Sequence, residues 1–149
     1  MSMNRREALK IGAGSLAALA GLMATSAFAA PEDAMKMVEE FAGGMPAEGG
    51  ITLDTPEIAE NGNTVPIEVS VETAMTDDDY VEEVLILADG NPRPDVATFK
   101  FTPLAGEAMA STRMRLAKTQ NVIAVAKMSD GSTRMATNLV KVTIGGCGG

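Results

Sequence analysis

The 149-residue chain contains no histidine and no tryptophan, and it has one cysteine and one tyrosine. Without histidine, Ser-His-Asp and Cys-His catalysis are excluded, and so is the commonest metal ligand. One cysteine makes neither an internal disulfide nor a thiolate metal cage. An enzyme built on this chain alone would have to work with carboxylates, lysines or the single thiol. With no Trp and four Phe, the core must come from Val, Ile, Leu, Ala and Met. A stripe of positive charge is also missing: the formal charge is −8, which argues against a nucleic-acid partner.

The N-terminus has the organisation of an export signal. Arg5, Arg6 and Lys10 precede a Gly/Ala-rich apolar run from Ile11 to Met23, and Ala27-Phe28-Ala29 supplies a small-x-small cleavage pattern. The adjacent arginines Arg5 and Arg6 point to the twin-arginine route, although Ala8 stands where a Phe is usual. An ordinary secretory signal is the alternative. A transmembrane helix fits less well, because so Ala/Gly-rich a run is weakly apolar. Cleavage after residue 29 removes three of the twelve basic and one of the twenty acidic residues, leaving nine against nineteen, a charge of −10. About 120 residues remain, enough for one compact core.

Pro31 to Phe41 reads as a short helix. Pro31, Glu32 and Asp33 suit a first turn, Met35, Val38 and Phe41 or Ala42 share a face, and Gly43-Gly44 ends it. The stretch to Gly50 reads as loop. From Ile51 the period becomes two: Ile51 and Leu53 open a strand, and Asn61-Gly62-Asn63 is a turn. Val65, Ile67, Val69 and Val71 alternate with polar residues, and Pro66 suggests an edge position at the start of that strand. Asp77-Asp78-Asp79 is a loop without the ligand spacing of a calcium site. Further strands are expected over Tyr80–Leu87, around Phe99 and Phe101, over 108–116, and centrally over Val122–Met128, which is apolar on both faces. Asp130-Gly131 starts a hairpin return from Thr133 to Ile144, with a bulge at Leu139-Val140. Six or seven short strands imply an all-β, immunoglobulin-like antiparallel β-sandwich with a short N-terminal helix. The expected organisation is a signal over 1–29, helix and loop over 30–50, sandwich over 51–144 and a carrier arm over 145–149.

The chemistry is concentrated in the tail, Gly145-Gly146-Cys147-Gly148-Gly149. Each glycine loses much backbone freedom on ordering, so these residues are expected to form a mobile arm. Three residues from Ile144 to Cys147, at about 3.3–3.6 Å each, give a reach of about 10 Å. A thiol on so thin an arm can enter a narrow channel on another protein. An ordinary thiol pKa lies near ~8.5, and no neighbouring Lys, Arg or helix N-terminus lowers it here. Cys147 is therefore read as a handle activated by a partner's site. Two alternatives are an incidental thiol and an exported immunoglobulin-like module that dimerises through a Cys147 disulfide; a thiol-dependent enzyme acting alone is a third class. Prenylation is excluded, since the cysteine is third from the end. The Gly148-Gly149 terminus is also that of ATP-activated thiocarboxylate carriers, a reading that the export signal disfavours. Eight methionines follow residue 29, and Met109 falls on an outward face; most are read as core filling. Arg113, Arg115 and Arg134 are candidates for an outward basic patch.

The Gly-Gly-Cys-Gly-Gly terminus, after an immunoglobulin-like domain and a twin-arginine signal, closely resembles the SoxY family of bacterial thiosulfate oxidation. Residues 61–66 (Asn-Gly-Asn-Thr-Val-Pro) and 118–126 (Lys-Thr-Gln-Asn-Val-Ile-Ala-Val-Ala) resemble it as well. The resemblance implies a non-enzymatic carrier that bears sulfur intermediates covalently on Cys147. It implies a heterodimer with a small SoxZ-like subunit, exported together into the periplasm. A haem c enzyme would couple thiosulfate to the thiol, a di-manganese hydrolase would release sulfate, and a molybdenum- and haem-containing dehydrogenase would oxidise the remaining sulfane sulfur. The carrier itself is expected to hold no metal or cofactor.

Overall fold

The computed structural model describes residues 30–146, so Arg5 and Arg6 of the expected signal lie outside the described residues. The first element, α1, runs Pro31–Ala42. It starts where the sequence places it: Asp33 donates its N–H to the Ala30 carbonyl at 2.8 Å, and its carboxylate accepts the Ala30 N–H at 3.1 Å. It stops at Gly43, whose left-handed φ of 72° lets its N–H return to the Glu39 carbonyl.

Nine strands follow: β1 (Ala47–Glu48), β2 (Ile51–Asp54), β3 (Ile58–Asn61), β4 (Val65–Val71), β5 (Val81–Ala88), β6 (Asp95–Lys100), β7 (Ala108–Met114), β8 (Gln120–Met128) and β9 (Thr133–Ile144). One sheet has the order β9-β8-β5-β6, with β1 and β3 both on the outer edge of β9; the other has the order β2-β4-β7. The two inner faces make the main core. Val65, Ile67, Val69 and Val71 of β4 meet Val84, Ile86 and Ala88 of β5 and Val122, Ala124, Ala126 and Met128 of β8. The opposite faces of β5 and β8 carry Leu85, Leu87, Ile123 and Val125, and α1 covers them with Ala34 and Val38. That is why β8 is apolar on both faces: one faces a sheet and the other a helix.

Three local expectations change. Two strands are added, because the segments around Ala47 and Ile58 each lie parallel against β9. The sandwich is therefore antiparallel apart from these two short pairings. β4 is central in its sheet over most of its length, and its start is the edge position that Pro66 suggests. Proline is tolerated at position 66 because β2 ends at Asp54, opposite Glu68, leaving that part of β4 with a neighbour on one side. No bulge interrupts β9 at Leu139-Val140, whose ladder with β8 is continuous from Thr133 to Val140. Leu139 is simply exposed on the outer face, and the register shifts fall in β5.

Most methionines do fill the core: Met75, Met114 and Met128 are buried, and Met35, Met37 and Met135 pack around α1. Met45 and Met109 are exposed. Among the described residues no helix is long and apolar enough to cross a membrane.

Candidate functional site

The three buried polar or charged residues of the described chain, Asp89, Asn91 and Gln120, all sit at one end of the sandwich. They hold two loops together. The Gln120 amide accepts the Gly90 N–H at 2.7 Å and donates to Asn91 Oδ1 at 2.9 Å and to the Lys118 carbonyl at 3.0 Å. Asn91 Oδ1 also accepts the Ala117 N–H, and its Nδ2 donates to the Arg115 carbonyl at 2.8 Å. Asp89 accepts the backbone and side-chain N–H groups of Asn121. Every buried side-chain nitrogen and oxygen among the described residues is satisfied. The network thereby fixes the loop from Arg115 to Thr119, which would otherwise have no ladder partners.

The loop receives the end of the chain. Gly62, in the turn between β3 and β4, donates its N–H to the Ile144 carbonyl at 2.7 Å. The Leu116 N–H donates to the Gly62 carbonyl at 2.8 Å, and the Gly146 N–H donates to the Leu116 carbonyl at 2.9 Å. Thr119 Oγ1 accepts the Val142 N–H at 2.9 Å. Three segments remote in sequence are thus joined backbone to backbone around Gly62. A Cβ at Gly62 would collide with the Leu116 carbonyl oxygen and lie 2.8 Å from the Gly146 nitrogen. A Cβ at Gly145 would collide with the Ala117 carbonyl, and one at Gly146 would lie 2.8 Å from the Gly62 carbonyl oxygen. Gly62, Gly145 and Gly146 are absent from the residues with positive φ. These glycines are required for the close approach and not for an unusual backbone angle.

The expectation of a free arm from residue 145 changes accordingly. Gly146 is hydrogen-bonded to Leu116 and buried, while the exposed Gly145 passes close to the Ala117 carbonyl. Glycines pack here because the contact is backbone against backbone, where the lack of a side chain is the condition for packing. Cys147, Gly148 and Gly149 lie outside the described residues. Gly62 was legible in the sequence as a turn residue and Gln120 as part of a family-like stretch, but neither they nor Leu116 and Asn91 were singled out as site residues.

The three arginines do not form one patch. Arg134 lies on an early rung of β9, its guanidinium donating to the Glu72 carbonyl at 3.0 Å, whereas Arg113 is opposite Pro66 on the other sheet. Asp77-Asp78-Asp79 sits in a turn closed by Thr76 and Asp79. No group of three or more His, Cys, Asp or Glu side chains able to hold a metal ion occurs among the described residues. An open groove of about 560 Å³ crosses the outer face of the smaller sheet, lined by Asp54, Thr55, Pro66, Glu68, Ser111 and Arg113 among others. Neither Gly145 nor Gly146 lines it.

A family profile described as sulfur oxidation protein SoxY matches residues 38–147, so Cys147 is the last residue matched. Among solved structures, the chain is similar to the sulfur carrier protein SoxY from Chlorobium limicola f thiosulfatophilum. The two share 33% identity over 74% of this chain and 96% of that one, with a TM-score of 0.61. Superoxide reductase (neelaredoxin) from Ignicoccus hospitalis is 16% identical over 63% of this chain and 80% of its own, with a TM-score of 0.57. A putative superoxide reductase from Thermotoga maritima is 17% identical over 68% and 89%, with a TM-score of 0.54. At such identities these two share the fold alone. No curated protein matches the chain.

Proposed function

The chain belongs to the SoxY family of sulfur oxidation proteins, and from that premise we propose that it is a non-enzymatic sulfur carrier whose cargo is bound covalently to Cys147. The observation that carries this reading is the position of the cysteine. The fold's last described residue is Gly146, held by Leu116 at the end of the sandwich, and the single thiol of the chain comes next. The family profile ends on that cysteine, and the chain offers no histidine to activate it.

The chemistry fits a handle. In the loading step a partner takes two electrons, thiosulfate joins the thiol sulfur through a new S–S bond, and the thiol proton leaves to solvent. A haem c enzyme is the class of oxidant that serves. Water then cleaves the terminal S–S bond, releasing sulfate and leaving a persulfide on Cys147; a di-manganese hydrolase is the corresponding partner. A molybdenum- and haem-containing dehydrogenase would oxidise the sulfane sulfur before a final hydrolysis. None of these steps asks this chain for an acid, a base or a metal. The reading also includes a SoxZ-like partner subunit, export of the folded protein through the Arg5-Arg6 signal, and a periplasmic location.

Intact mass spectrometry of the mature protein from thiosulfate-grown cells, with and without reductant, tests the proposal. Reductant-labile sulfur, thiosulfonate or sulfonate additions on the peptide containing Cys147 are expected. A clean thiol, or a disulfide dimer alone, would overturn it in favour of a structural module. In a reconstituted system, Cys147→Ser is expected to abolish thiosulfate-dependent electron flow.

A further inference from the structure

The exposed charges of the sandwich are sorted by end. The turns and loops at one end, residues 72–80, 101–107 and 129–132, carry Glu72, Asp77, Asp78, Asp79, Glu107 and Asp130 and no basic residue. The opposite end is made by the 61–64 turn, the 89–94 turn and the 115–119 loop, and it carries Arg93, Arg115 and Lys118, all exposed. Its one acidic residue, Asp89, is buried and bonded to Asn121. The adjoining strand ends do not reverse this, because Asp95 and Glu60 are matched by Arg113 and Lys141. The two ends stand apart by the length of β8, nine residues, or roughly 27 Å at about 3.4 Å per step. The screening length in physiological salt is about 8 Å, so a molecule approaching one end does not feel the other.

The basic end holds its arginines in place. Arg93 lies between Pro92 and Pro94, which restrict the backbone on both sides, and the Pro94 carbonyl accepts the Ala88 N–H at 2.8 Å. Asn91 Nδ2 donates to the Arg115 carbonyl at 2.8 Å, which ties the second arginine's loop to the first. Lys118 lies over Gly90 at the same junction, its Cε 3.0 Å from where a Cβ on that glycine would stand. Neither Arg93 nor Arg115 has a side-chain hydrogen bond or ion pair among the described residues. Arg134, by contrast, is engaged by the Glu72 carbonyl. Ile144, 66% exposed, closes β9 at the basic end, its carbonyl bonded to Gly62. Unpaired guanidinium groups on a fixed frame, with an exposed aliphatic side chain at the same end, have the composition of a protein interface. We propose that this end is a docking surface for an acidic patch on a protein partner, with Arg93 and Arg115 as cationic anchors and Ile144 as the apolar contact. A nucleic acid is a poorer occupant, since its phosphates would extend over a chain of net charge −8. A small anion is poorer too, because both arginines are exposed and not enclosed. The acidic end repels the same partner, so the charge pattern orients the approach; steering of this kind raises association rates by about 10–10³. That the partner is an enzyme acting on carried sulfur rests on the carrier reading; the docking surface itself does not.

The test uses the full mature chain, with a decaglutamate peptide as the probe of an acidic surface and amide chemical shifts as the readout. Saturable shifts are expected over residues 89–94 and 115–119, and they should vanish at about 1 M salt, where the screening length falls to about 3 Å. Arg93→Gln with Arg115→Gln should weaken binding by about tenfold, the sum of two exposed charge pairs. Either single variant, expected at about threefold, reads the same contact if the pair fails to fold. Lys36→Gln with Lys100→Gln removes the same charge from exposed positions elsewhere and should leave binding within about twofold. With the haem c enzyme as partner, the arginine variants should raise KM for the carrier by about tenfold at low salt with kcat nearly unchanged, and the lysine variants should not. The proposal is overturned if the shifts fall elsewhere, if the lysine pair weakens binding equally, or if KM does not distinguish the two pairs. It is also overturned if sulfate, but not chloride at equal ionic strength, displaces the peptide, which marks a small-anion site. Peptide binding needs neither thiol nor cargo, so retained activity in Cys147→Ser would sink the carrier reading alone.

Discussion

Gln120 makes three hydrogen bonds through one amide, and those to the Gly90 N–H and Asn91 Oδ1 are buried. Replacing it with the similarly sized Leu would strand the Gly90 N–H. An unsatisfied buried group costs about 1–3 kcal/mol, so Gln120→Leu should lower the denaturation free energy by about that much in a urea titration. The local effect should be loss of exchange protection at Ala117 and Gly146, whose amides the loop geometry holds. Asp130 offers a contrasting case at the surface. Its carboxylate accepts the Ser132 hydroxyl at 2.6 Å and the Ser132 N–H at 2.8 Å, which holds its pKa below the ordinary 3.8. A lowered folded value means that the stabilisation is present above the ordinary value and is lost as pH falls through the folded one. NMR titration of the Asp130 carboxyl should therefore show a midpoint below 3.8, with no change in turn stability near neutral pH.

α1 shows how a short element can determine whether a sheet is soluble. It closes the second core through Ala34 and Val38, both fully buried over Leu85, Leu87, Ile123 and Val125. Burying a Val side chain contributes about 1.5–3 kcal/mol, and a carboxylate in its place would be desolvated without a partner. Val38→Asp should thus cost more than about 3 kcal/mol and expose an apolar sheet face, detectable as dye binding and as a lowered thermal midpoint. The alternation that places Val65, Ile67, Val69 and Val71 inward was readable from the sequence, as were the helix ends and the β8–β9 hairpin. β1 and β3 were not, because β1 has two residues and β3 buries only Ala59, which leaves no apolar alternation to read. They exist because the edge of β9 is available to them. The proline in β4 was a readable sign that the strand starts with one neighbour, whereas the point at which β2 ends beside it was not.

At the scale of the whole molecule, the proposed carrier reading makes Cys147 a handle that the core does not need. Cys147→Ser should consequently leave the unfolding free energy within about 0.5 kcal/mol of the parent while removing the site of attachment. A calorimetric shift larger than that would mean that the thiol packs against the fold, contrary to its role as a handle. The sequence by itself determined the chemistry available to this protein: no imidazole, one thiol, an acidic chain, and strands whose period of two follows from alternating residues. These are properties of single residues and of near neighbours, and they survive without knowledge of the fold. Only the tertiary structure decided that the tail glycine Gly146 is anchored, that Gly62 is the residue that admits it, and that Asn91 and Gln120 build the receiving loop. Such contacts join segments tens of residues apart through backbone atoms that every residue possesses, so no side-chain pattern announces them. What makes them specific is the missing Cβ at the point of approach, and that becomes visible only when the three segments are brought together.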